Sequence, residues 1–82
     1  MRTNSDQNSY FISAELSLIA FLRVTGYQIE KTEHQGRQVV FYIRKDSKLE
    51  KNIKDFWSHE ARISPLAYFN ALKEVKSFIY QK

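Results

Sequence analysis

The sequence contains no cysteine, which excludes a disulfide framework and any metal site built on thiolates. It has only two glycines, Gly26 and Gly36, which are too far apart to form a phosphate-binding loop. The longest apolar-rich stretch, residues 16–24, is interrupted by Ser17 and Arg23 and is too short to span a bilayer. The first eight residues are polar and lack the apolar run of a signal peptide. These absences predict a cytoplasmic protein that does not enter a membrane.

Catalytic and metal-ligand spacings are also missing. The two histidines, His34 and His59, have no second ligand at helical spacing. The acids Asp46, Glu50 and Asp55 stand among lysines, a pattern typical of helix caps and i,i+4 ion pairs rather than of an acid–base pair. Because no nucleophile, base and orienting group come together, we expect a protein that is not an enzyme and that carries no metal or other cofactor.

Aromatic side chains and a mild positive charge dominate what is present. Eighty-two residues make one domain, and aromatic residues, at 15%, supply the dense core that so short a chain needs. We expect residues 1–9 to form a flexible tail and residues 10–82 a single α+β domain. The net charge of +4 permits a polyanionic partner without requiring one.

The first predicted elements are a strand at residues 10–12 and a helix that begins at the N-cap Ser13 and ends at Gly26. This helix is apolar nearly all round, so most of its sides must be covered. Two interpretations stand: a central core helix, or a helix with one side in a subunit interface.

A hairpin follows, with strands at residues 27–33 and 37–44. A three-residue loop over residues 34–36 pairs Ile29 with Phe41 and gives Gly36 a left-handed backbone. The face predicted to pack on the helices carries Tyr27, Ile29, Val39, Phe41 and Ile43. The opposite, solvated face carries Gln28, Glu30, Gln38, Val40, Tyr42 and Arg44.

Two more helices complete the chain. The sequence Ser47-Lys48-Leu49-Glu50 has the pattern of a capping box, and Ser64-Pro65 that of a cap followed by proline at the first helical position. The last helix is predicted to bury one stripe, formed by Leu66, Phe69, Leu72, Val75, Phe78 and Ile79 and widened by Tyr68, Ala71 and Tyr80. The predicted order is β-α-β-β-α-α, a small three-stranded antiparallel sheet with helices packed on one face, although the sequence does not fix the pairing direction of the first strand.

The apolar and capping residues of the chain form one spacing pattern, made up of Phe11-Ile12-Ser13, Leu16, Ala20-Phe21-Leu22, Gly26-Tyr27, Phe41, Phe56-Trp57, Pro65-Leu66, Tyr68, Ala71-Leu72, Lys76 and Ile79-Tyr80. This pattern resembles that of a family of short prokaryotic domains of unknown function. The resemblance covers nearly the whole chain after the tail, but it implies a fold and no activity. Where members tend to have Phe-Tyr-Asn-Gly after the second helix, this chain has Phe56-Trp57-Ser58-His59.

A basic strand–helix surface is the preferred functional hypothesis, and nucleic acid its expected partner. An aromatic ring flanked by cations suits base stacking and phosphate binding. The expected nucleic-acid-binding residues are Arg37, Tyr42, Arg44, Lys45, Lys48, Lys51 and Lys54.

The alternative is a homodimeric or adaptor module for protein–protein interaction, because the chain is rich in apolar and aromatic residues for its size. Its expected interface residues are Leu18, Phe21, Leu22, Trp57, Phe78 and Tyr80.

Overall fold

The computed structural model describes residues 9–80. Its elements are β1 (Tyr10–Ser13), α1 (Leu16–Val24), β2 (Ile29–Gln35), β3 (Gln38–Arg44), α2 (Leu49–Trp57) and α3 (Pro65–Tyr80). The order β-α-β-β-α-α and the α+β class are as predicted. Residues 1–8 of the expected tail lie outside the described residues. Ser9 is described, and its carbonyl accepts a 2.8 Å hydrogen bond from the backbone N–H of Lys45.

The sheet has the order β1-β3-β2, so β3 is the central strand. Both neighbours pair with it antiparallel; Phe11 lies opposite Ile43, and Ser13 opposite Phe41. The direction of β1, which the sequence left open, is therefore antiparallel.

The predicted hairpin register was wrong. Gln35 pairs with Gln38, so the loop is the two residues Gly36 and Arg37. Gly36 has φ +63° whereas Arg37 has a negative φ, which is the φ pattern of a type II′ turn. The left-handed Gly36 was predicted correctly.

A β-bulge at Glu30 shifts the pairing once more, so that Ile29 lies opposite Ile43 rather than Phe41. A bulge adds a residue to one strand only. The alternation of inward and outward side chains in β2 is therefore shifted by one residue after Glu30. Thr32 pairs with Phe41 on the helix side of the sheet, and Lys31 pairs with Tyr42 on the other side.

All three helices pack on one face of the sheet. The core joins Phe41 and Ile43 of β3 to α1, to Leu49 of α2 and to Val75 of α3. In α1, all five residues from Leu18 to Leu22 are buried, because the sheet and the other two helices surround it. The single chain therefore covers the apolar circumference of this helix without a partner.

Helix α1 ends as predicted but begins later. Gly26, with φ +112°, follows its last turn, and the N–H of Tyr27 donates to the carbonyl of Leu22 at 2.9 Å, a Schellman motif. The predicted cap Ser13 lies before the helix, which begins at Leu16; its Oγ instead accepts a 3.0 Å bond from the N–H of Glu15.

Asp46, not Ser47, supplies the side-chain oxygen at the start of α2. Its Oδ1 accepts a 3.0 Å bond from the N–H of Lys48, which occupies the N-cap position without a capping side-chain bond of its own. The predicted capping box at residues 47–50 is therefore wrong. The hydroxyl of Tyr27 also donates to this oxygen, at 2.6 Å, and so holds the Asp46 carboxylate near the helix terminus.

A second Schellman motif ends α2, with a histidine in place of glycine. His59 has φ +65°, and its N–H donates to the backbone carbonyl of Phe56. The N–H of Glu60 donates to the backbone carbonyl of Asp55 at 2.9 Å. A left-handed backbone strains a residue that carries a Cβ.

Helix α3 begins as predicted, but it is rotated about its axis relative to the predicted stripe. The Oγ of Ser64 caps it by accepting from the N–H of Ala67 at 3.2 Å. Its buried side is centred on Ala71 and Val75, with Tyr68, Leu72, Phe78 and Ile79 partly buried. The predicted burial of Leu66, Phe69 and Tyr80 was wrong, since all three are exposed.

Candidate nucleic-acid interface

The face of the sheet opposite the helices, called the outer face from here on, holds a pair of tyrosines. Tyr10 of β1 and Tyr42 of β3 meet edge to face, with ring centroids 5.8 Å apart and planes at 75°. They lie diagonally across the strand pair, because Tyr10 is opposite Arg44 and Tyr42 is opposite Ile12. Both tyrosines are partly exposed, so their rings form part of the protein surface.

Each tyrosine ring has a cation over it. The Nζ of Lys31 lies 4.6 Å from the centroid of Tyr42, and the guanidinium of Arg44 lies 5.0 Å from that of Tyr10. Arg44 also donates a 3.0 Å hydrogen bond from Nη2 to the hydroxyl of Tyr10. The contacts thus join a cation, a ring, a second ring and a second cation in turn, with Tyr42 and Arg44 both on the central strand.

Glu33 fixes the outer end of Tyr42. The hydroxyl of Tyr42 donates to its Oε1 at 2.8 Å, and Lys31 approaches its other oxygen at 3.7 Å. The hydrogen bond from Tyr42 holds the pKa of the Glu33 carboxyl below its usual value, and the Lys31 charge acts in the same direction. The same hydrogen bond raises the pKa of the Tyr42 hydroxyl. Glu33 therefore places a carboxylate beside the Lys31 cation on the outer face.

The floor between these polar groups is apolar. Val40 is buried although it points to the outer face, whereas Ile12, opposite Tyr42, is 42% exposed. No helix of residues 9–80 covers this side, because α1, α2 and α3 all join the core on the other face. The result is a partly apolar, aromatic surface bordered by positive charge.

The expected basic surface is divided among four places. Tyr42 and Arg44 lie on the outer face, and Arg37 lies in the hairpin turn at the far end of β3, about 20 Å from Arg44 along the strand. Lys45 lies in the loop that follows β3. The other three lysines lie in the helix layer, Lys48 at the N-cap of α2 and Lys51 and Lys54 within that helix, where Lys51 pairs with Asp55 at 3.0 Å. The structure thus does not bring the predicted cations together on one face.

Two residues of the outer face were missed by sequence reasoning. Tyr10 was assigned to a strand, but its proximity to Tyr42 follows from the β1–β3 register, for which the sequence offers no signal. Lys31 faces outward beside Tyr42 because of the Glu30 bulge. The sequence Gly36-Arg37, a typical pair for a type II′ turn, is the one signal in the sequence that favoured the observed two-residue hairpin loop.

The expected protein interface is also divided. Leu18 and Leu22 are buried in the core, so they are not available to a partner in this fold, and Phe21 reaches the surface only as part of the lining of an apolar hollow. Phe78 packs edge-on against Phe41, with centroids 6.2 Å apart. Only Trp57 and Tyr80 of this set are exposed.

Within residues 9–80, no group of three or more His, Asp or Glu side chains is placed to hold a metal ion. None of the three helices has the length and apolar character needed to cross a membrane.

The family to which the chain belongs is shown by sequence comparison. Residues 8–81 match the model of DUF5659, described as a domain of unknown function, and the protein is a member of that family. No curated protein and no solved structure gives a match.

Proposed function

We propose that this domain binds nucleic acid through the outer face of its sheet. The observation that carries the proposal is the series of contacts that joins Lys31, Tyr42, Tyr10 and Arg44 on a face that no helix of residues 9–80 covers. Bases stack on aromatic rings regardless of their sequence, and neighbouring cations bind the phosphates between them. The surface lacks the projecting helix that reads a duplex groove, which favours a single strand as the ligand.

Binding requires Lys31 and Arg44 to leave the rings that they cover in the free protein. Both are exposed and attached through flexible side chains, so each is free to swing from the ring to a phosphate. Tyr42 keeps its orientation meanwhile, because Glu33 holds its hydroxyl. Because the Glu33 carboxylate lies close to Lys31, we expect a modest affinity that falls moderately as the salt concentration rises.

The test is the fluorescence anisotropy of a labelled twelve-residue oligothymidylate titrated with the protein from low to physiological salt. Neutralising two phosphates of a single strand predicts a slope of log K against log salt of about −1.4. Arg44→Glu and Lys31→Glu should each weaken binding by about tenfold. Lys54→Glu is the matched control, because it makes the same charge change in the helix layer and should have less than about a twofold effect.

Two results would contradict the proposal. The first is no binding at low salt. The second is an equal loss in Lys54→Glu and Arg44→Glu, which would show attraction to net charge rather than to the outer face.

A second candidate function is protein–protein interaction, favoured by the exposed apolar residues of the helix layer. Of the large hydrophobic side chains that are exposed among residues 9–80, four belong to α2 and α3: Trp57, Leu66, Phe69 and Tyr80. Such side chains are favoured at the centres of binding surfaces. Light scattering at increasing protein concentration distinguishes a homodimer from a module that binds other proteins, since only a homodimer doubles in mass.

A further inference from the structure

One stripe of α3 combines exposed apolar and basic residues. It consists of Leu66, Phe69, Lys73, Lys76 and Tyr80, which are spaced i, i+3, i+7, i+10 and i+14 and therefore lie on one side of the helix. Leu66 is 68% exposed, Phe69 56% and Tyr80 77%. These five residues are called the α3 stripe. It points away from the core, which Ala71 and Val75 contact from the other side of the helix.

An apolar hollow of about 340 Å³ adjoins the first turn of the stripe. Pro65 and Tyr68 of α3 line it, and Pro65 neighbours Phe69 on the helix surface because the two are four residues apart. Phe21 and Phe56, whose ring centroids are 5.2 Å apart, also line it. The remaining lining residues are His59, Ala61 and Ile63. A hollow of this size and lining fits a large apolar side chain.

Among residues 9–80, no acid forms an ion pair with the basic residues of the α3 stripe. Neither Lys73 nor Lys76 has such a pair, and the ammonium of Lys73 lies over the ring of Phe69 at 5.3 Å. The acid on α3, Glu74, lies on another side of the helix, where Arg23 of α1 binds it at 3.0 Å. A partner that covers the stripe must therefore supply carboxylates.

A second copy of the chain does not meet this requirement. A twofold helix pair is either parallel, so that each lysine of the stripe faces its own copy, or antiparallel, so that the middle of the stripe faces itself. That middle is Lys73, with Lys76 one turn away, and the contact would place like charges together. The stripe spans fourteen residue steps from Leu66 to Tyr80, about 21 Å, which matches about four turns of a partner helix.

We propose that the α3 stripe and the adjoining hollow form a docking site for an acidic amphipathic helical segment of another protein. Its large apolar residue enters the hollow beside Leu66 and Phe69, and its carboxylates pair with Lys73 and Lys76. This inference rests on the second of the two functions proposed above and is independent of the outer face.

The test is selection of a displayed library of random sixteen-residue peptides on the intact protein, with counter-selection on the Phe69→Glu variant. We expect the enriched peptides to carry a net negative charge and large apolar residues at helical spacing. Phe69→Glu, and Lys73→Glu combined with Lys76→Glu, should each weaken the binding of a selected peptide by about tenfold or more. Because these side chains are exposed, circular dichroism should show an unchanged fold. Arg44→Glu, the same charge reversal on the outer face, should leave binding within about twofold.

Each other outcome overturns part of the proposal. Enriched peptides without acidic residues would remove the acidic partner but leave the interaction function. A failure to enrich any peptide that depends on Phe69 would remove both. A dimer in light scattering that disappears in Phe69→Glu would show that a second copy occupies the stripe.

Discussion

Tyr42 and Glu33 are joined across neighbouring strands by a 2.8 Å hydrogen bond from the phenol to the carboxylate. The bond is possible because Glu33 and Tyr42 both point to the outer face after the Glu30 bulge. The ionised form of Glu33 accepts this bond more strongly than the protonated form, so the folded protein favours ionisation. Its pKa is accordingly lower in the folded than in the unfolded chain.

Replacing Tyr42 by phenylalanine should raise the titration midpoint of Glu33. A depressed pKa adds stability that is present above the unfolded pKa and is lost as pH falls through the folded pKa. In Tyr42→Phe the largest cause of the depression is gone, so the midpoint should move up towards the usual glutamate value. The measurement is a pH titration of the Glu33 side-chain carboxyl ¹³C shift. Tyr10→Phe is the control, since the Tyr10 hydroxyl contacts Arg44 and not Glu33; an unchanged midpoint in Tyr42→Phe would contradict the geometry.

Removing the carboxylate of Asp46 should destabilise the start of α2. Asp46→Ala eliminates the acceptor for both the Lys48 N–H and the Tyr27 hydroxyl, so we expect the melting temperature to fall by several degrees. Ser47→Ala changes the residue that the sequence nominated as the cap and should leave the melting temperature nearly unchanged. Thermal unfolding followed by circular dichroism compares the two. A larger loss in Ser47→Ala would restore the capping box.

Glycine at position 59 should make the protein more stable. His59→Gly relieves the cost of a left-handed backbone at φ +65°, which exceeds the entropy that glycine adds to the unfolded chain, so we expect a gain of about 0.5–1 kcal/mol. His34→Gly, the same change within β2, should instead cost about 0.5–1 kcal/mol. Urea denaturation of both variants gives the two values. Destabilisation of similar size in both would mean that the side chain of His59 contributes more than its backbone strain costs.

The rotation of α3 is tested by two apolar truncations. Val75→Ala removes fully buried methyl groups and leaves a cavity, so we expect a loss of about 2 kcal/mol. Leu66→Ala shortens an exposed side chain and should change the free energy of unfolding by less than about 0.5 kcal/mol. Chemical denaturation measures both free-energy changes, provided that the dependence of the unfolding free energy on denaturant concentration is the same in both variants. Comparable losses would place Leu66 in the core, as the periodicity of the sequence suggested.

Much of the fold follows from local signals in the sequence. Gly26 and Ser64 mark a helix end and a helix start because the chemistry of each is local: a left-handed backbone at one and a hydroxyl acceptor at the other. The inward face of β3 was also predictable, since Val39, Phe41 and Ile43 alternate with more polar residues except at Val40. These features decide which side of the sheet the helices cover.

The candidate site was predicted only in part, because its geometry depends on pairing between distant segments. Alternation placed Tyr42 and Arg44 on one face, but a bulge at Glu30 decides that Lys31 joins them. The rotation of α3 was misjudged for a related reason. Leu66 and Phe69 fit the apolar period of the helix, but the core contacts only the side of the helix that carries Val75.

Among the described residues, the order β1-β3-β2 leaves both flanking strands with one row of backbone N–H and C=O groups that no other strand pairs. An unpaired row of this kind is a template on which further chains add as strands. Here β1 is only four residues long, and β2 is kinked by the Glu30 bulge and carries charged side chains at Lys31 and Glu33. The same bulge that brings Lys31 to Tyr42 thus also hinders the addition of further copies to the sheet edge as in a fibril. Deletion of Glu30 would remove the bulge and leave β2 as a regular edge strand.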